Sequence, residues 1–315
     1  RYDEAEPLYQ QALALRRELL GERHPAVAGS LNNLAALYYN QGRYDEAEPL
    51  YQQALALRRE LLGERHPDVA TSLNNLAVLY DNQGRYDAAE PLYQQALALR
   101  RELLGERHPD VATSLNNLAA LYDNQGRYEE AEPLYQQALA LHRELLGERH
   151  PDVANSINNL AGLYNAQGRY EEAEPLYRDA LQLSRELLGE RHPAVATSLN
   201  NLAGLYKAQG RYDEAEPLYR DALQLRRELL GERHPAVAQS LNNLAYLYND
   251  QGRYEEAEPL YLEALAILAQ AVGTDHPNFQ TVFGNFFAFL QGVVGANQTD
   301  QLSDHPLVQA LLRQM

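Results

Sequence analysis

Apolar and polar positions alternate along this chain with helical spacing. Val69, Leu73, Leu76 and Tyr80 fall at i, i+4, i+7 and i+11, on one face of a helix with 3.6 residues per turn. Pro67 suits the first helical position, where a missing N–H costs nothing, and Asp68 complements the positive end of the dipole. Gln83-Gly84 breaks the run, because glycine can take the positive φ that closes a helix. The spacing thus predicts a helix opening at Pro67, called helix A. A second, helix B, is predicted from about Tyr86 to Leu104. Tyr86, Ala89, Tyr93 and Ala96 form its apolar row, widened by Leu92, Leu99 and Leu103. Asp87 and Glu90 lie near its start and Arg100 and Arg101 near its end, the order a helix dipole favours; Gly105 stops it. Pro91 sits inside, where it crowds the carbonyl four residues back, so an irregular first turn is expected rather than a break. So short a turn between A and B makes them antiparallel neighbours.

The same phrase returns every 42 residues. Tyr44, Tyr86, Tyr128, Tyr170, Tyr212 and Tyr254 mark one phase, and His24, His66, His108, His150, His192, His234 and His276 another. A fixed period of this size signals an array whose units bury their faces only by stacking. Small Ala77, Ala89 and Ala96 allow close approach, while Leu76, Tyr80 and Tyr93 fill the gaps.

Leu73-x2-Leu76-Ala77-x2-Tyr80 followed by Ala89-x3-Tyr93-x2-Ala96 resembles the tetratricopeptide repeat pattern. The extended period, with the Ser-Leu-Asn-Asn-Leu-Ala and Tyr-Asp-Glu-Ala-Glu-Pro-Leu-Tyr phrases, is most similar to kinesin light chain repeats and to arrays in bacterial multidomain signalling proteins. The resemblance covers residues 1 to about 291. It implies an all-α, right-handed superhelical solenoid with helix A on the inner surface, non-enzymatic and given to binding proteins or peptides.

Along the chain, residues 1–21 read as a helix B alone, 24–272 as six helix pairs, and 276–291 as a divergent seventh helix A. That last helix gathers every Phe of the chain: Phe279, Phe283, Phe286, Phe287 and Phe289. Residues 292–303 read as a loop, and Asp304 as the cap of a short closing helix within 292–315. The start at Arg1, inside a repeat, reads as part of a longer chain.

Composition narrows the partners. With 44 acidic against 27 basic residues and a net charge of −17, a nucleic-acid backbone is a poor fit. The absence of cysteine excludes disulfides and thiolate metal sites. No apolar run is long enough to span a membrane. These traits fit a cytoplasmic protein without cofactor.

The candidate chemistry lies on helix A. Asn32/Asn33, Asn74/Asn75, Asn116/Asn117, Asn158/Asn159, Asn200/Asn201 and Asn242/Asn243 occupy helix interiors, where asparagine is unfavourable. An amide offers both donor and acceptor and can pair with any extended peptide backbone; helix A asparagines at corresponding positions of the resembled family are such clamps. The competing expectation is that one Asn of each pair bonds to the neighbouring repeat. The same face varies between copies at Asp81, Asp123, Asn165, Lys207 and Asn249 and at the column containing Val78 and Tyr246. A neutral or mildly basic peptide with aromatic anchors fits it. Two alternatives stand beside this: a sensor or self-associating array within a signalling protein, joined through repeat ends, and a recently duplicated array with no dedicated ligand. The recurring histidines are a repeat apart, too far to share a metal. His142 and His305 read as lone surface residues, and the carboxylates as solvated faces. No catalytic motif is present.

Overall fold

The structure, a computed structural model, describes residues 2–314. Its helices are α1 (Tyr2–Leu20), α2 (Pro25–Asn40), α3 (Tyr44–Leu62), α4 (Pro67–Asn82), α5 (Tyr86–Leu104), α6 (Pro109–Asn124), α7 (Tyr128–Leu146) and α8 (Pro151–Ala166). These build a compact unit that ends at Gln167. A second unit begins at Gly168 and holds α9 (Tyr170–Leu188), α10 (Pro193–Ala208), α11 (Tyr212–Leu230), α12 (Pro235–Asp250), α13 (Tyr254–Ala271), α14 (Pro277–Gly295) and α15 (Pro306–Leu312). Among the described residues every regular element is helical.

Each unit is a stack of antiparallel pairs, and both turns of the repeat follow from its sequence. At the A-to-B turn Gly84 has φ 70°, Gly84 N–H donates to Asp81 at 2.9 Å and Arg85 N–H to Tyr80 at 2.8 Å. This crossed pair satisfies the last carbonyls of α4. At the B-to-A turn Gly105 ends α5 with φ 82°, and His108 Nδ1 then accepts the Asp110 N–H at 3.1 Å. The recurring histidines, His24 to His276, are therefore N-caps that satisfy a first-turn donor. Helix B runs through Pro91 unbroken; Ala88 and Ala89 N–H both donate to Arg85 O at 3.1 Å, a tightened first turn.

The core is where the periodicity puts it. In α4 and α5, Val69, Ala70, Leu73, Leu76, Ala77, Leu79, Tyr80, Ala89, Tyr93, Ala96 and Leu97 are buried, the alanines at 0% exposure. Small side chains at these positions let the paired helices approach closely.

The carboxylates of the Glu-Pro phrase are not simply solvated. Glu48 on α3 accepts Tyr80 OH on α4 at 2.9 Å and the Arg85 guanidinium at 2.6 Å, which also lies 4.1 Å over the Tyr80 ring. The same tie links Glu6, Tyr38 and Arg43, and in the second unit Glu216, Tyr248 and Arg253. Their role was hidden because each partner lies in the next repeat.

The C-terminal end departs from expectation. α14 continues past residue 292 to Gly295 because Val293 falls in register with Phe286, Phe289 and Leu290, all at or below 1% exposure. Phe286 and Phe289 pack on Tyr261 of α13, ring centroids 5.8 and 5.3 Å away. The short helix is capped by His305, not Asp304: His305 Nδ1 accepts the Leu307 N–H at 3.3 Å. Glu258, the last copy of the tie carboxylate, has Leu290 where a tyrosine would stand, and instead accepts the backbone N–H of Ser303 at 2.8 Å and the Ser303 hydroxyl.

Candidate peptide-binding face

Helix A presents its asparagines at consecutive positions, so the two amides of a pair diverge by about 100° around the axis. The second member reaches back to the first member of the preceding repeat. Asn75 Nδ2 donates to Asn32 Oδ1 at 2.9 Å, and Asn117 to Asn74 at 2.8 Å. In the second unit Asn243 donates to Asn200 at 2.8 Å and Asn285 to Asn242 at 3.1 Å. Asn33 and Asn159 are exposed; Asn158 and Asn201 are half-buried. Asn116 is buried and donates to Ser156 Oγ at 3.0 Å.

The varying column lies alongside. Asp81 accepts from Asn124 at 3.2 Å, and burial pushes the carboxyls of Asp81 and Asp123 above the usual range. Asn165 and Asn249 are half-buried. Lys207 pairs with Asp250 at 3.1 Å and sits 3.7 Å from the centroid of the Tyr246 ring.

In the second unit these residues enclose a cleft of about 240 Å³ lined by Lys207, Tyr219, Asn242, Asn243, Tyr246 and Asn285. A neighbouring one of about 360 Å³ shares Asn242 and Asn243 and adds Gln239, Leu268, Asn278, Thr281 and Val282. Lys207, Asn242 and Asn243 are thus brought together. Tyr219 and Asn285 were missed: Tyr219 reads as helix B core, and Asn285 follows Gly284 in a copy that has lost its pair. Its spacing of one repeat from Asn243 was the available signal. Burial holds the Tyr219 hydroxyl well above the usual tyrosine value, so it serves as a neutral hydrogen-bonding group.

Two further expectations are corrected. His142 is 3% exposed, with Nδ1 2.8 Å from Ser156 Oγ, because α8 covers the end of α7. His305 is exposed as expected but is not without a partner, since its Nδ1 caps α15. Among the described residues no helix is long and apolar enough to cross a membrane.

Stacked A/B pairs with histidine-capped helices and a polar helix A face define a helical repeat protein. Tetratricopeptide repeat matches tile the chain over residues 1–39, 27–102, 82–144, 110–179, 152–228 and 194–270. The chain belongs to the tetratricopeptide repeat family. Such repeats generally mediate protein–protein interaction and are generally non-catalytic. Among solved structures it is similar to BtubC (BKLC) from P. vanneervenii, at 30% identity over 80% of this chain and 92% of that one, with a TM-score of 0.55. It is also similar to the nearly identical repeats of a putative kinesin light chain from Podosopora anserina, at 30% identity over 65% of this chain and 97% of that one, with a TM-score of 0.52. No curated protein matches the chain.

Proposed function

We propose that the helix A faces hold an extended segment of a partner protein, read chiefly through its backbone. The observation that carries this is the second-unit cleft, where Asn242, Asn243 and Asn285 supply amides beside the Tyr219 and Tyr246 rings. Amides bond a backbone regardless of sequence, and flanking rings give an apolar side chain a wall. Lys207 is already paired with Asp250, so the cleft is close to neutral and suits a neutral or mildly basic segment with an aromatic anchor. The test is isothermal titration with peptides recovered from a displayed library, repeated on Asn243→Ala and Tyr246→Ala. Each should weaken binding by about five- to tenfold, the scale of one net hydrogen bond or ring contact; unchanged affinity in both would refute the reading.

A further inference from the structure

The asparagine ladder of the first unit has a gap. Asn32 and Asn74 each accept from the second Asn of the following repeat. Asn159 is the equivalent donor for Asn116, yet it makes no such bond and is exposed. Asn116 has turned away: it is 9% exposed, its Nδ2 donates to Ser156 Oγ at 3.0 Å, and its Oδ1 is buried without a partner.

One side chain accounts for the turn. At the two preceding junctions Arg58 and Arg100 send Nη1 to Ser72 and Ser114 Oγ at 2.7 Å, and to the Asp68 and Asp110 carbonyls at 3.1 Å. The matching residue on α7 is His142, with Nδ1 2.8 Å from Ser156 Oγ. A guanidinium can only donate, whereas a neutral imidazole nitrogen can accept. Ser156 can therefore give its proton to His142 and take one from Asn116 at the expense of the ladder, which leaves Asn116 Oδ1 and His142 Nε2 buried without partners.

We propose that His142 holds this rung open and that the freed Asn159 amide pairs with the backbone of an extended peptide. This rests on the peptide-binding reading above and locates its contact in the first unit. The buried, unpaired Asn116 Oδ1 marks the rung as poised between two arrangements. Rotation of Asn116 toward Asn159 would satisfy that oxygen and close the rung; a peptide bound to Asn159 selects the open form.

The test uses the whole chain and peptides that it retains from an unbiased phage-displayed library. His142→Arg places a guanidinium on Ser156 and returns Asn116 to the ladder. The side-chain amide resonance of Asn159 should then move toward those of Asn75 and Asn117. Peptide affinity should fall about five- to tenfold, one net hydrogen bond, on His142→Arg and on Asn159→Ala, with no further loss when the two are combined. Asn159 is exposed, so its truncation keeps the test decisive should arginine not be accommodated. An unmoved Asn159 resonance, or a closed rung with unchanged affinity, overturns the role of His142 while leaving peptide binding intact. Retention of no peptide by the natural sequence overturns both.

Discussion

His142 and Arg226 stand at the same place in the repeat and meet burial differently. Arg226, 7% exposed, keeps its charge by donating to Ala236 O at 3.0 Å and Ser240 Oγ at 2.9 Å. His142 is held below the ordinary histidine value, chiefly by burial, with Asp152 opposing the shift and His150 adding to it. It is neutral when folded, while the unfolded chain takes up a proton near about pH 6.5. The resulting stability is therefore full above that value and declines as pH falls through it toward the lowered folded pKa. Thermal unfolding between about pH 7.5 and 5.5 should show a loss in the natural sequence that His142→Arg reduces. Local periodicity could not show this burial. On α7 alone residue 142 aligns with arginines and reads as a polar face; what covers it is the next repeat.

At the level of the helix, most boundaries were legible, because proline, glycine and the apolar period agree at every copy. The seven interior His-Pro steps also say where helix A begins, though that each imidazole accepts a backbone proton needed coordinates. Gly126, at φ 72°, should lose about 1 kcal/mol on replacement by alanine, measured by urea denaturation. The failure came at residues 292–295, where glycine argues for a loop while Val293 continues the apolar row of α14; beyond Gly295 the chain leaves the α-helix as expected. Packing decided it. Phe286, at 0% exposure against Tyr261, should cost about 3–5 kcal/mol on truncation to alanine, seen as a lower midpoint for a probe in the second unit.

Across the whole molecule the ties between repeats matter more than any single pair. The guanidiniums of Arg43, Arg211 and Arg253 hold the carboxyls of Glu6, Glu174 and Glu216 below the usual range. Their stabilisation is present above the unfolded carboxylate value near about 4.3 and is lost as pH falls through the lowered folded values. Acid should therefore loosen the stacking, and Glu216→Gln should make the second unit less sensitive to pH in that range, as followed by circular dichroism. Because units interact with neighbours only, unfolding in denaturant should depart from a single two-state step when probes in the two units are compared. The helix A face was legible as a column of amides, since asparagine pairs recur where helices disfavour them. Which amides are spent on one another was not legible, for that depends on a contact one repeat away.

The way Glu258 is satisfied has a bearing on how such a chain can lengthen. Glu6, Glu48, Glu90, Glu174 and Glu216 each bind a tyrosine and an arginine of the repeat that follows, but at Glu258 Ser303 fills that place from the far side of α14 in sequence. A duplicated module appended behind α14 would find its docking group already occupied. New modules can be accommodated by duplication within the array, upstream of α14, with the Glu258–Ser303 closure left unchanged.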